Sequence, residues 1–128
     1  MSPLEFEPLS TNFFRCAITI SDCTYSSGVL FDSQVPSAEQ EIALQQARTA
    51  FSFVQDKHPE DLHAIVAHRL PPEADPHIFS ECELVSLSAA WRSETQSLRL
   101  SLAYGFDGGV YAVASLCCDT VDHVSLVD

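Results

Sequence analysis

Five histidines, five cysteines and eighteen carboxylates are the side chains from which this 128-residue chain would build chemistry. The histidines are His58, His63, His68, His77 and His123. The first three are spaced five apart, which puts them on different faces of a helix or alternate faces of a strand. A zinc-binding helix presents histidines four apart, and zinc sites often add paired cysteines. Neither spacing is present, so no metal site is assigned. Cys16, Cys23, Cys82, Cys117 and Cys118 are odd in number and contain no Cys-x-x-Cys, which argues against a disulfide framework. The adjacent Cys117 and Cys118 have the spacing of a vicinal disulfide or redox pair, and at least one of them is read as a buried small hydrophobe in a strand. A nucleophilic pair would need Cys82 or Cys117 beside His63 or His68 as base, and no local motif joins them.

Carboxylates occur in close pairs: Glu5 and Glu7, Glu60 and Asp61, Glu73 and Asp75, Glu81 and Glu83, Asp119 and Asp122. Acid–base work needs carboxyls in a cleft with separated pKa values, whereas these pairs sit at turns and element ends. No calcium loop of the Asp-x-Asp-x-Asp-Gly kind is present. The glycines are Gly28, Gly105, Gly108 and Gly109. None forms a Gly-rich loop ahead of a helix, so no nucleotide cofactor is expected. The chain is read as carrying no catalytic residue, no metal and no cofactor.

What remains is charge. Asp plus Glu number 18 against six Lys plus Arg, a formal net charge of −12. Lys57 is the only lysine, and after Arg99 come Asp107, Asp119, Asp122 and Asp128 with nothing basic to balance them. Such a chain repels nucleic acid and anionic membranes and attracts basic surfaces. High net charge signals disorder only when hydrophobicity is low; at 46% hydrophobic residues a folded core is expected. The segment Met1–Glu7 has no basic region and no apolar run, so it does not read as a signal peptide. No apolar run approaches the roughly 20 residues of a spanning helix. The expectation is a cytoplasmic protein of one domain, residues 1–128.

The elements follow from periodicity. Residues 1–11, with Pro3 and Pro8, read as a loose acidic arm with room for a short edge strand. Phe14, Cys16, Ile18 and Ile20 alternate with Arg15 and Thr19, the period of a half-buried strand. Ser21-Asp22 is a turn, and a second strand spans Cys23 to Phe31 with Gly28 as a bulge position. Ala38 to Lys57 keeps the helical period. Ser37 and Gln40 have the spacing of a capping box, Lys57 suits the last turn, and the residue before Pro59 ends the helix. Leu62 to Arg69 is apolar on both faces and reads as a buried strand, with a second helix as the alternative. Leu70 to Pro76 is a stiff loop. Strands are expected at Glu83–Trp91, Leu98–Tyr104 and Val110–Cys117, with a turn at 93–96 and a hairpin at Asp107-Gly108-Gly109. The tail, 119–128, reads as acidic and short of contacts.

One long amphipathic helix on a curved, mainly antiparallel sheet of about five to six strands makes a two-layer α+β domain. A single helix cannot cover so broad a sheet, so homodimerisation is a structural expectation. The function class this favours is an acidic interaction protein that binds a basic surface on a partner, as inhibitors, immunity proteins and secretion chaperones do. Its contact residues would be Glu60, Asp61, Glu73, Asp75, Asp119 and Asp122. A second class rests on element order: a strand region, a long central helix, then an antiparallel sheet. That order is similar to the hotdog fold and implies a dimeric small-molecule or acyl-thioester site, with Glu41 or Asp32 as the acid. A structural subunit of a larger assembly is the third.

Overall fold

Alternation builds most of the molecule. A computed structural model describes residues 5–20, 22–57, 60–106, 109–117 and 120–127. Its strands are β1 (Glu7–Ser10), β2 (Phe13–Ile20), β3 (Cys23–Phe31), β4 (Glu83–Arg92), β5 (Ser97–Gly105), β6 (Ala112–Cys117) and β7 (Thr120–Leu126). Between β3 and β4 run three helices, α1 (Ser37–Lys57), α2 (Glu60–Ala67) and α3 (Pro76–Ser80). The strands form one open sheet in the order β1 to β7, antiparallel except where β3 pairs with β4. The architecture is α+β: one long helix on a mainly antiparallel sheet, with seven strands rather than five or six.

The inner sheet face carries Cys16, Ile18 and Ile20, then Val29 and Phe31, then Leu87, Ala89 and Trp91, then Leu98, Leu100, Leu102 and Tyr104, all buried. Against it lie Ala43, Leu44, Ala47, Ala50, Phe51 and Val54 of α1. Three of these are alanines, which give a helix a low-profile surface to lay on a sheet. The other sheet face is built of small side chains such as Ala17, Ser26, Ser88, Ala90, Ser101 and Ser115, exposed or half-buried.

The sheet is two antiparallel meanders joined at a short parallel seam. Only Val29, Leu30 and Phe31 pair with Ala89, Ala90 and Trp91. Further along, side-chain hydroxyls bridge the two strands: Ser27 donates to the Leu87 carbonyl at 2.6 Å and Tyr25 to the Leu84 carbonyl at 2.9 Å. Buried carbonyls need such donors. Glu39, in the first turn of α1, ties the helix to the end of β4. Its carboxylate accepts from Trp91 Nε1 at 2.9 Å, Ser93 Oγ at 2.8 Å and Gln96 Nε2 at 3.1 Å.

Several expectations are corrected. Residues 62–69 are not a strand: α2 buries Leu62 and Val66, four apart on one helix face. The tail is not short of contacts, because Thr120–Leu126 pairs along β6. A bulge between Ser115 and Leu116 on that ladder puts Val121 and Val124 on the same inner face three residues apart, which breaks the alternation that marks a strand. Helix α1 begins at Ser37 itself, and the Gln40 side chain donates to the Val35 carbonyl at 3.4 Å instead of closing a capping box. Gly28 pairs in register with Arg15. It is glycine because a Cβ there would run into the Phe14 carbonyl and the Phe13 ring. The stiff loop ends one residue early: Asp75 caps α3, its carboxylate accepting from His77 N at 2.8 Å, and Pro76 opens the helix. That is proline's favoured place. Asp107 and Gly108 of the hairpin lie outside the described residues.

Candidate functional site

Strand direction sorts the charges. In an antiparallel meander the connections alternate between two ends of the sheet. One end holds the β2–β3 turn, where Ile20 pairs with Cys23 and Asp22 takes a left-handed φ of 69°. The close of α1 reaches the same end, since Gln55 Nε2 donates to the Thr19 carbonyl at 3.0 Å. Helix α2 follows it, and α3 leads into the start of β4. The loop before α3 is held there too, by the Tyr111 hydroxyl accepting from Asp75 N at 3.0 Å. Asp22, Asp56, Glu60, Asp61, Glu73, Asp75, Glu81 and Glu83 therefore share this end, all exposed. Lys57 stands among them.

The six contact residues expected from sequence divide accordingly. Glu60, Asp61, Glu73 and Asp75 lie at the acidic end, where Glu60 and Asp61 also occupy the first turn of α2. That position favours negative charge through the helix dipole. Asp122 is elsewhere, on β7, paired with Arg99 of β5 across β6. The hydrogen bond and charge of Arg99 hold its carboxyl below the usual range. Asp119 lies outside the described residues. Asp32 sits at the opposite end of the sheet, accepting from Ser93 N at 3.3 Å.

Beneath the acidic end is an aromatic nook. The His63 ring stacks on Phe79 at 4.3 Å and meets Tyr104 edge-on at 5.9 Å. Its Nε2 lies 2.8 Å from the Phe79 carbonyl. The Tyr104 hydroxyl is buried without a partner among the described residues, and burial raises its pKa. The Cys82 thiol donates to the Ile78 carbonyl at 3.4 Å, and burial together with Glu81 pushes its pKa up. A nucleophilic cysteine needs the opposite shift. Cys16 is likewise pushed up by burial, to about 11. Cys117 is half-buried on β6, and Cys118 lies outside the described residues. Among the described residues no three His, Cys, Asp or Glu side chains gather in a way that would hold a metal ion. His58 is not among the residues described.

A groove of about 530 Å³ runs between α1 and the inner face of β5 and β6. Leu98, Leu100 and Leu116, each at most 5% exposed, lie beneath it, Ala50 closes it from the helix side, and Glu41, Ile42, Gln45, Gln46 and Thr49 line its flank. Glu41 is one of the two acids expected for a small-molecule site; the other, Asp32, lies beside Ser93 and does not line the groove. Ile42, next to Glu41, stands 50% exposed. Gln46 and Thr49 carried no signal in the sequence. They become lining residues only because α1 crosses the sheet at this angle. Among the described residues no helix is long and apolar enough to cross a membrane. Compared with protein-family models, with curated proteins and with solved structures, the chain matches none.

Proposed function

We propose that this protein is an acidic interaction domain that binds a basic surface of a partner protein, as an inhibitor, immunity protein or chaperone would. The observation that carries the reading is the acidic end: eight exposed carboxylates against two exposed basic side chains, Lys57 and Arg69, on the same segments, on a chain whose net charge is −12. Carboxylates so gathered repel one another, and a cationic partner relieves that repulsion. Their fields add over about a Debye length, roughly 8–10 Å near physiological salt. Steering of this kind raises association rates by about 10–1000-fold, while rim charges add less to the lifetime of the complex.

The roles divide by position. Glu60 and Asp61 are held on a helix, and Glu81 and Glu83 flank the junction of α3 with β4. These four present fixed charge. Glu73, on the loop, extends the surface. The test is partner capture from host lysate by the protein and by the variant Glu60→Gln, Asp61→Asn, Glu81→Gln, Glu83→Gln. The control neutralises Asp32 and Glu94 at the other end. Loss of a retained basic protein in the first variant alone supports the assignment. Equal retention by all three forms overturns it.

A further inference from the structure

Exposed apolar side chains are not spread evenly over the molecule. Eight large ones are exposed among the described residues, and five of them, Ile78, Val85, Phe106, Val110 and Val127, lie at the acidic end. Their places follow from the topology. Phe106 and Val110 flank the connection between β5 and β6, where Gly109 N donates to the Phe106 carbonyl at 3.0 Å. The end of β7 brings Val127 beside them, its N–H donating to the Tyr111 carbonyl at 2.9 Å. Ile78 is on α3, which leads into β4, and Val85 is the third residue of that strand. Scattered surface hydrophobics are ordinary, but a group of them rimmed by polar residues marks an interaction site.

Carboxylates are interleaved with this group. Glu83 pairs with Gly105, the residue before Phe106. Glu81 N donates to the Ile78 carbonyl at 3.1 Å, closing α3. Asp75 N donates to the hydroxyl of Tyr111, next to Val110. All three acids are exposed, and residues 73–85, 104–106, 109–112 and 124–127 contain no lysine or arginine. A partner that met this end through charge alone would leave Phe106 and Val110 in water, and one that met it through apolar contact alone would strand the carboxylates. Given the reading of this end as the site of a basic partner, on which this rests, we infer that the docking segment of that partner is amphipathic. Its apolar side chains sit on Phe106, Val110 and Ile78, and its lysine or arginine side chains turn to Asp75, Glu81 and Glu83. Phe106, an aromatic ring 47% exposed, is the anchor, the kind of side chain enriched at interface centres. These apolar contacts set the lifetime of the complex, since rim charges act mainly on its approach.

Two short peptides of equal charge make the test, one of lysine and leucine in an amphipathic helical pattern, the other with every leucine replaced by serine. Affinity is read by calorimetry at moderate salt, and location by the NMR signals of Ile78, Phe106 and Val110. The lysine–leucine peptide is expected to bind about tenfold tighter, the effect of covering side chains that stand partly in water. Phe106→Ser with Val110→Ser brings it down to the affinity of the lysine–serine peptide, with thermal unfolding to check that the fold is kept. Ile78→Ser, on a separate element, gives a smaller loss in the same direction and serves if the double variant does not fold. Leu30→Ser, at an exposed apolar position towards the opposite end, leaves the affinity unchanged. Equal affinity for the two peptides overturns the amphipathic assignment and leaves the charge reading standing, whereas no binding of either overturns both. Leucine-dependent binding that survives the substitutions at Phe106, Val110 and Ile78, or shifts centred away from them, also overturns the assignment.

Discussion

Replacing Ser27 with alanine tests how the two meanders are held together. The seam between β3 and β4 has three paired positions, and beyond them the Ser27 hydroxyl is what reaches the Leu87 carbonyl, at 2.6 Å. Ser27 is 6% exposed, so water cannot replace the lost donor. Orphaning a buried carbonyl costs about 1–3 kcal/mol. Alanine fits the same space, so no cavity or overpacking term enters. A chain of this size shifts its unfolding midpoint by roughly 4 °C per kcal/mol, so a loss of about 2 kcal/mol lowers Tm by about 8 °C. Tyr25→Phe removes the second bridge, the 2.9 Å bond to the Leu84 carbonyl, from a half-buried site. Its cost is about 1 kcal/mol. The two bridges act on separate carbonyls, so the double variant should lose close to the sum. Thermal unfolding followed by circular dichroism, with urea unfolding to check that m is unchanged, measures all three. A Ser27→Ala midpoint within 1 °C of the parent would refute the claim that the hydroxyl closes the seam.

Four further outcomes follow from the same structure. Glu39→Ala strands the Trp91 indole N–H, on a residue that is 0% exposed; a loss of about 2 kcal/mol is expected by urea unfolding. Gly28→Ala sets a Cβ against the Phe14 carbonyl, and a cost of about 2 kcal/mol or more is expected. In thiol labelling at mildly alkaline pH, exposed Cys23 should react first among the described cysteines. Cys16, buried and with a pKa near 11, should react last. Asp122 has its pKa lowered by Arg99, so its pair contributes stability above the ordinary Asp value, and that contribution is lost as pH falls through the lower folded value. NMR titration should find the Asp122 midpoint below the ordinary Asp value, and Arg99→Gln should raise it.

Much of the fold could be read from the sequence wherever a single period ran without interruption. Helix α1 keeps 3.6-residue periodicity for 21 residues, and β2 and β5 alternate cleanly; β4 does so only from Leu87 on, after a bulge between Leu84 and Ser86 that buries Leu84 and leaves Val85 exposed. Failures came where the period was short or broken. Eight residues of α2 include Leu62, Ile65 and Val66 beside Ala64 and Ala67, and such a run is apolar on either template. Strand β7 is masked by its bulge. Helix α3 did have a signature, Asp75 as cap followed by Pro76 at the first position, hidden in a proline-rich stretch that reads as loop. Four of the six expected contact residues fall at one end because turns and helix termini of the meander meet there. Asp122 departs because it lies on a strand opposite an arginine. The groove depends on how far α1 is rotated over β5 and β6, which no local pattern encodes.

The central claim is that the acidic end meets a basic partner through charge. Its most direct test is the amount of partner retained from host lysate as salt rises from low to moderate concentration, quantified by mass spectrometry. A basic protein held at low salt and released steeply as the Debye length shortens is the expected result. A partner retained equally at both concentrations, or one with no basic surface, would contradict it.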